Sequence, residues 1–98
     1  MTRNPNTNAY GYSFCDQTID SVWNKAIPVP GLSPDFRRKD RFGAYIDRAH
    51  FGNTEIETGW EIDHTKPVTL GGNDDLFNLQ PLQWRTNRIK GNDFPYTP

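Results

Sequence analysis

The stretch from Trp60 to Lys90 constrains the fold of this chain more than any other, because its patterning allows one order of elements. In Gly59-Trp60-Glu61-Ile62-Asp63-His64 the apolar Trp60 and Ile62 alternate with Glu61 and Asp63, the two-residue period of a half-buried strand. Pro67 and the run Gly71-Gly72-Asn73-Asp74-Asp75 then demand a loop, so the strand ends near His64. On a regular strand Asp63 and His64 point to opposite faces, and both reach one substrate only if the strand stops there. Asn78-Leu79-Gln80 reads as a short second strand beside the first. Pro81 then introduces a helix from about Gln83 to Lys90, closed by Gly91 in the left-handed position. Asn87 and Lys90, three apart, share one face of that helix with Trp84, while Leu82 and Ile89, seven apart, are expected to face the core. The module is strand, loop, strand, helix.

The whole chain, this stretch included, is 98 residues long and makes one small α+β domain. Residues 1–15 read as a flexible N-terminal arm, because Met1 to Ser13 is polar and aperiodic. The domain proper is expected over 16–98, with its core module at 60–92. Asp16 is an N-cap candidate for a short helix whose Ile19, Val22, Trp23 and Ala26 form one apolar stripe, ended by Pro28. Tyr45-Ile46 and Thr54 to Thr58, either side of Gly52-Asn53, read as a β-hairpin with His50 solvated near its tip. The apolar fraction is only 34%, so the thirteen aromatics, three of them Trp, must supply much of the core.

Net charge is −1, so no global positive field marks a nucleic-acid binder. The charges are segregated, however. Arg37, Arg38, Lys39, Arg41 and Arg48 lie upstream, Arg85, Arg88 and Lys90 downstream, and an acidic centre between them carries only Lys66. Such flanks suit a metal site that binds a phosphate chain. Cys15 is alone, which excludes an internal disulfide and argues against structural zinc, since two His cannot close a four-ligand site without thiolates. No run approaches the length of a membrane span, and the start is not a secretory signal. The expected location is the cytoplasm, or a target cell if the chain is a delivered toxin.

Asp63-His64, the Gly71-Gly72 loop, Asn78-Leu79 and Asn87-Arg88-Ile89-Lys90 together resemble the ββα-metal motif of HNH endonucleases, in its Asp-His, Asn, Asn version. The match covers about the last third of the chain. It departs from many members in lacking the Cys pairs of a zinc clamp, so Trp84, Trp60 and Trp23 would have to support the motif by packing.

The resemblance implies hydrolysis of DNA phosphodiester bonds, leaving 5′-phosphate and 3′-hydroxyl ends. His64 would be the general base, as suits an imidazole with a pKa of about 6.5. Asp63 and Asn87 would bind one divalent ion, and two oxygen ligands favour Mg²⁺ first and Mn²⁺ second. Asn78 would tie the loop and help orient the base. Lys90 has two readings, stabilising charge on the phosphate or complementing the helix C-terminal dipole. Lys66, Arg85 and Arg88 are candidate phosphate contacts. Arg37, Arg38 and Lys39 are either a solvated face or further phosphate contacts. Glu61 is expected to face solvent or to pair with a basic residue. DNA is the implied partner, with no membrane, and phage packaging, restriction and toxin-immunity assemblies are settings in which such modules work. A non-catalytic nucleic-acid-binding module of the same fold and an RNA-cleaving toxin domain are the alternatives.

Overall fold

A computed structural model describes residues 4–98; positions 1–3 of the expected arm lie outside the described residues. Helix α1 (Asp16–Trp23) opens one residue earlier than its capping pattern suggested, since Cys15 occupies the N-cap and Asp16 sits in the first turn, where its charge still favours the dipole. Its apolar stripe is buried as patterned: Ile19, Val22, Trp23 and Ala26 all enter the core. Three short strands follow, β1 (Ile27–Pro28), β2 (Arg37–Lys39) and β3 (Tyr45–Asp47), in an antiparallel sheet of that order.

This sheet corrects the expected hairpin. Tyr45 pairs with Lys39, and Asp47 with Arg37, so the partner of β3 precedes it and the Gly52-Asn53 stretch lies in an irregular loop. The cause is Asp40. Its Oδ1 accepts hydrogen bonds from the backbone N–H groups of Phe42 and Ala44, while Gly43 takes φ +90°, and together these fold a tight turn. The other oxygen, Oδ2, accepts from Gln83 N, so a side chain with no solvent exposure ties this turn to the C-terminal module.

That module is built from strand β4 (Trp60–His64), strand β5 (Leu79–Gln83) and helix α2 (Trp84–Lys90). The strands are antiparallel, with Asp63 opposite Gln80 and His64 opposite Leu79. Pro81 therefore lies within β5, opposite Ile62, rather than at the head of a helix. It is tolerated because this is a pair without mutual hydrogen bonds: Ile62 N–H points away from β5 and donates to Asn6 Oδ1 at 2.7 Å. The helix start is made by Gln83, whose side chain accepts from Arg85 N and Thr86 N, and the end by Gly91 at φ +50°.

Leu82 belongs to the strand, so the seven-residue spacing to Ile89 has no helical phase. Leu82 is fully buried, whereas Ile89 is 71% exposed, which overturns its expected place in the core. What α2 turns toward β4 is polar instead. Glu61 and Asp63, on one face of the strand, take Asn87, Arg88 and Lys90.

The opposite face of β4 carries Trp60 and Ile62 into the core beside α1, Ile46 and Leu79. Trp60 packs on Trp23 at 5.4 Å and on Phe51 at 4.9 Å between ring centroids. Truncating a tryptophan buried this completely costs about 3–5 kcal/mol. Trp84 is only half-buried and donates its indole N–H to Ile56 O, so aromatic support for the module rests mainly on Trp60 and Trp23. Among the described residues no helix is long and apolar enough to cross a membrane.

Candidate active site

A cleft of about 430 Å³ lies at the C-terminal end of β4. Ile62, Asp63 and His64 contribute from the strand, Asn87 and Arg88 from α2, and Asn6 and Thr7 from the N-terminal segment. Asp63 and His64 do project from opposite faces of β4. They border the same cleft because the strand stops at His64, after which Thr65 N bonds to Asn78 O.

Asp63 is 5% exposed and doubly held, with Oδ2 accepting from Gln80 Nε2 at 2.8 Å and Oδ1 from Lys90 Nζ at 3.1 Å. Burial raises its pKa above the ordinary carboxylate value, and the bonds from Gln80 and Lys90 only partly oppose this. Lys90 is itself 3% exposed and also donates to His64 O at 3.1 Å. Its ammonium lies behind Asp63 as a structural clamp between helix and strand, and it is not among the residues lining the cleft.

Two residues before Asp63, the buried carboxylate of Glu61 is gripped by Arg88 through both oxygens, at 2.8 and 2.7 Å. This ion pair raises the Arg88 pKa and leaves the guanidinium half exposed at the cleft. Glu61 Oε1 also accepts from Asn87 Nδ2 at 3.0 Å. With its nitrogen so engaged, Asn87 keeps Oδ1 without a hydrogen-bond partner among the described residues.

The loop between the strands is closed by Asn78, which is buried. Its Oδ1 accepts from Lys66 N, and its Nδ2 donates to Lys66 O and Asn73 O. Gly72 lets this happen: a Cβ there would stand 1.7 Å from Lys66 O. In the same loop Asp74 Oδ1 lies 2.8 Å from His64 Nε2, and the backbone N–H of Ala9 reaches both Asp74 oxygens at 3.0 Å. Thus the segment read as a flexible arm is fastened at Ile62 through Asn6 and at Asp74 through Ala9.

The structure brings Asp63, His64, Asn87 and Arg88 to one cleft and sets Asn78 and Lys90 behind it. It does not bring the basic cluster there. Arg37 pairs with Asp47, Arg38 caps the carbonyls of Pro34, Asn24 and Ala26, and Lys39 lies over the Tyr45 ring. Arg85 is exposed near Glu57 and stacks on Trp84, and exposed Lys66 does not line the cleft. Sequence reasoning missed Gln80, Asp74 and Asn6. Gln80 was within reach, since pairing Leu79 with the end of β4 places it opposite Asp63. The other two depend on long-range contacts.

Among the described residues no three His, Cys, Asp or Glu side chains cluster as a metal site. The free carboxamide oxygen of Asn87 and the carboxylate of Asp63 nevertheless border one cleft. That hard-oxygen pair fits a cation that keeps several of its waters, each carboxylate oxygen retaining a second lone pair beyond its present bond. No family model, curated protein or solved structure matches this chain.

Proposed function

We propose that the chain is a metal-dependent endonuclease of the HNH type that hydrolyses DNA. The observation that carries this reading is the meeting of an imidazole, a carboxylate and an unpaired carboxamide oxygen, His64, Asp63 and Asn87, on one open cleft. His64 takes a proton from water, and the water oxygen bonds to phosphorus as the bond to the 3′ oxygen breaks. The products are a 5′-phosphate and a 3′-hydroxyl, the leaving oxygen acquiring its proton from solvent. Asp63 and Asn87 would hold a divalent ion, Mg²⁺ first and Mn²⁺ second, whose chemistry is to stabilise charge on the phosphate and the leaving oxygen. Arg88, half exposed at the cleft wall, is the phosphate contact best placed to fix the strand. Asn78 holds the loop and thereby the end of the strand that carries His64.

With Mg²⁺ the protein should nick or linearise plasmid, and His64→Ala should abolish cleavage while circular dichroism shows the fold retained. Cleavage at the wild-type rate by that variant would remove His64 as the base. Asp63→Ala and Asn87→Ala should each weaken Mg²⁺ binding by calorimetry, and unchanged affinity in both would remove them as ligands. Retarded mobility on DNA without cleavage over a metal series would instead support a non-catalytic binding module, and digestion of total RNA in preference to plasmid an RNA-cleaving one.

A further inference from the structure

We propose that Asp74 is a positioning residue. Held in place by the N-terminal segment, it fixes the His64 imidazole so that Nδ1 is the nitrogen that receives the water's proton. The inference rests on the nuclease reading above and adds how its base is oriented.

The contact between His64 Nε2 and Asp74 Oδ1 is 2.8 Å long. A carboxylate only accepts, so Nε2 carries the hydrogen and the lone pair of the neutral ring lies on Nδ1. Among the described residues Nδ1 meets no hydrogen-bond partner, and His64 borders the cleft. The ring is confined on other sides as well. Phe14 stands 6.0 Å away between centroids, and Lys90 anchors the His64 carbonyl. When the proton reaches Nδ1 the imidazolium keeps its Nε2–H on Asp74, whose charge stabilises the ring.

Asp74 sits in the glycine-rich loop, where a side chain would not by itself keep one position. It is gripped from both directions. Ala9 N–H bonds both carboxylate oxygens at 3.0 Å, and Asn78 Nδ2 holds the carbonyl of the preceding residue, Asn73, at 2.8 Å. The N-terminal segment, through Asn6 and Thr7, is also part of the cleft wall. One segment therefore shapes the cleft and sets the base.

The test uses full-length ¹⁵N-labelled protein, read under conditions in which the nitrogen shifts themselves show one ring nitrogen of His64 unprotonated. Long-range proton–nitrogen correlation should show His64 Nε2 bearing a hydrogen protected from solvent exchange and Nδ1 without one. In Asp74→Ala that protection should vanish while the backbone amide signals outside the Ala9 and Asp74 segments are retained. On plasmid DNA, Asp74→Ala and the shape-conserving Asp74→Asn should lower kcat by about 10–100-fold with KM unchanged. An unprotonated Nε2 in the wild type, or identical His64 signals in Asp74→Ala, would overturn the proposal. A raised KM with kcat retained would also overturn it, making Asp74 a tether for the N-terminal segment only. Should the wild type cleave no nucleic acid, the nuclease reading falls, while the nitrogen spectra still decide whether Asp74 fixes the ring.

Discussion

Replacing Lys90 by methionine separates the two roles open to this residue. Its ammonium lies 3.1 Å from Asp63 Oδ1, and the two side chains are 2% and 5% exposed. At that separation, with an effective dielectric constant of about 20, the attraction is roughly 5 kcal/mol. Desolvation of both groups offsets most of it in the intact pair. Methionine fills the stem volume but leaves the Asp63 carboxylate buried with Gln80 alone, and breaking one side of a buried pair costs about 3–5 kcal/mol. Against a total stability of about 5–15 kcal/mol for a natural domain, that is a large share.

Urea unfolding at neutral pH, with a slope of about 1.5 kcal/mol/M, should then show the midpoint falling by about 2–3 M with the slope unchanged. The loss should shrink toward acid pH. Asp63 has a raised folded pKa, so its contribution is fully present below the unfolded value and is lost as pH rises through the folded one. Removing Lys90 raises that pKa further and extends the loss to higher pH. The double variant Asp63→Leu/Lys90→Met should recover most of the stability, because neither charge then remains buried. A loss under about 1 kcal/mol in Lys90→Met would refute the clamp. If cleavage disappeared all the same, Lys90 would be acting on the phosphate.

Three further outcomes follow from the same contacts. Asp40→Ala removes the acceptor of three backbone N–H groups, at Phe42, Ala44 and Gln83, and at about 1–3 kcal/mol for each group left buried it should lower the urea midpoint severely. Gly72→Ala places a Cβ 1.7 Å from Lys66 O and 3.0 Å from Asn78 Nδ2, so amide hydrogen exchange should show the Lys66 and Asp75–Asn78 region opening first. Asp47 has a lowered pKa, chiefly through its hydrogen bond from Arg37. Its stabilisation is present above the ordinary carboxylate value and lost as pH falls through the folded one, so Asp47→Asn should flatten the acid limb of a stability–pH profile.

The succession of strand, loop, strand and helix in the last third was legible in the sequence, because Trp60-Glu61-Ile62-Asp63 carries its period in its own side chains and Gly71-Gly72 and Gly91 mark chain reversals that other residues resist. The apolar stripe of α1 was legible for the same reason. Each is a local preference, readable without knowing what the segment packs against. The partner of β3 was not legible, since Asp40 looked like one charge in a basic run until its two oxygens met three N–H groups, one of them forty-three residues away. Nor was the exposure of Ile89, because α2 is oriented by the buried carboxylates of Glu61 and Asp63 rather than by apolar phase.

At the candidate site the division is the same. The sequence by itself determined which chemical groups the module carries, His64, Asp63, Asn78, Asn87 and Lys90, and that they lie close along the chain. Only the tertiary structure decided which are free and which are spent. Lys90 is consumed by Asp63, Asn87 is turned by Glu61 so that its oxygen is left over, and His64 is met by Asp74, which an N-terminal backbone amide holds in place. Side-chain hydrogen bonds between distant segments depend on the geometry of the assembled chain, and neither spacing nor composition encodes them locally.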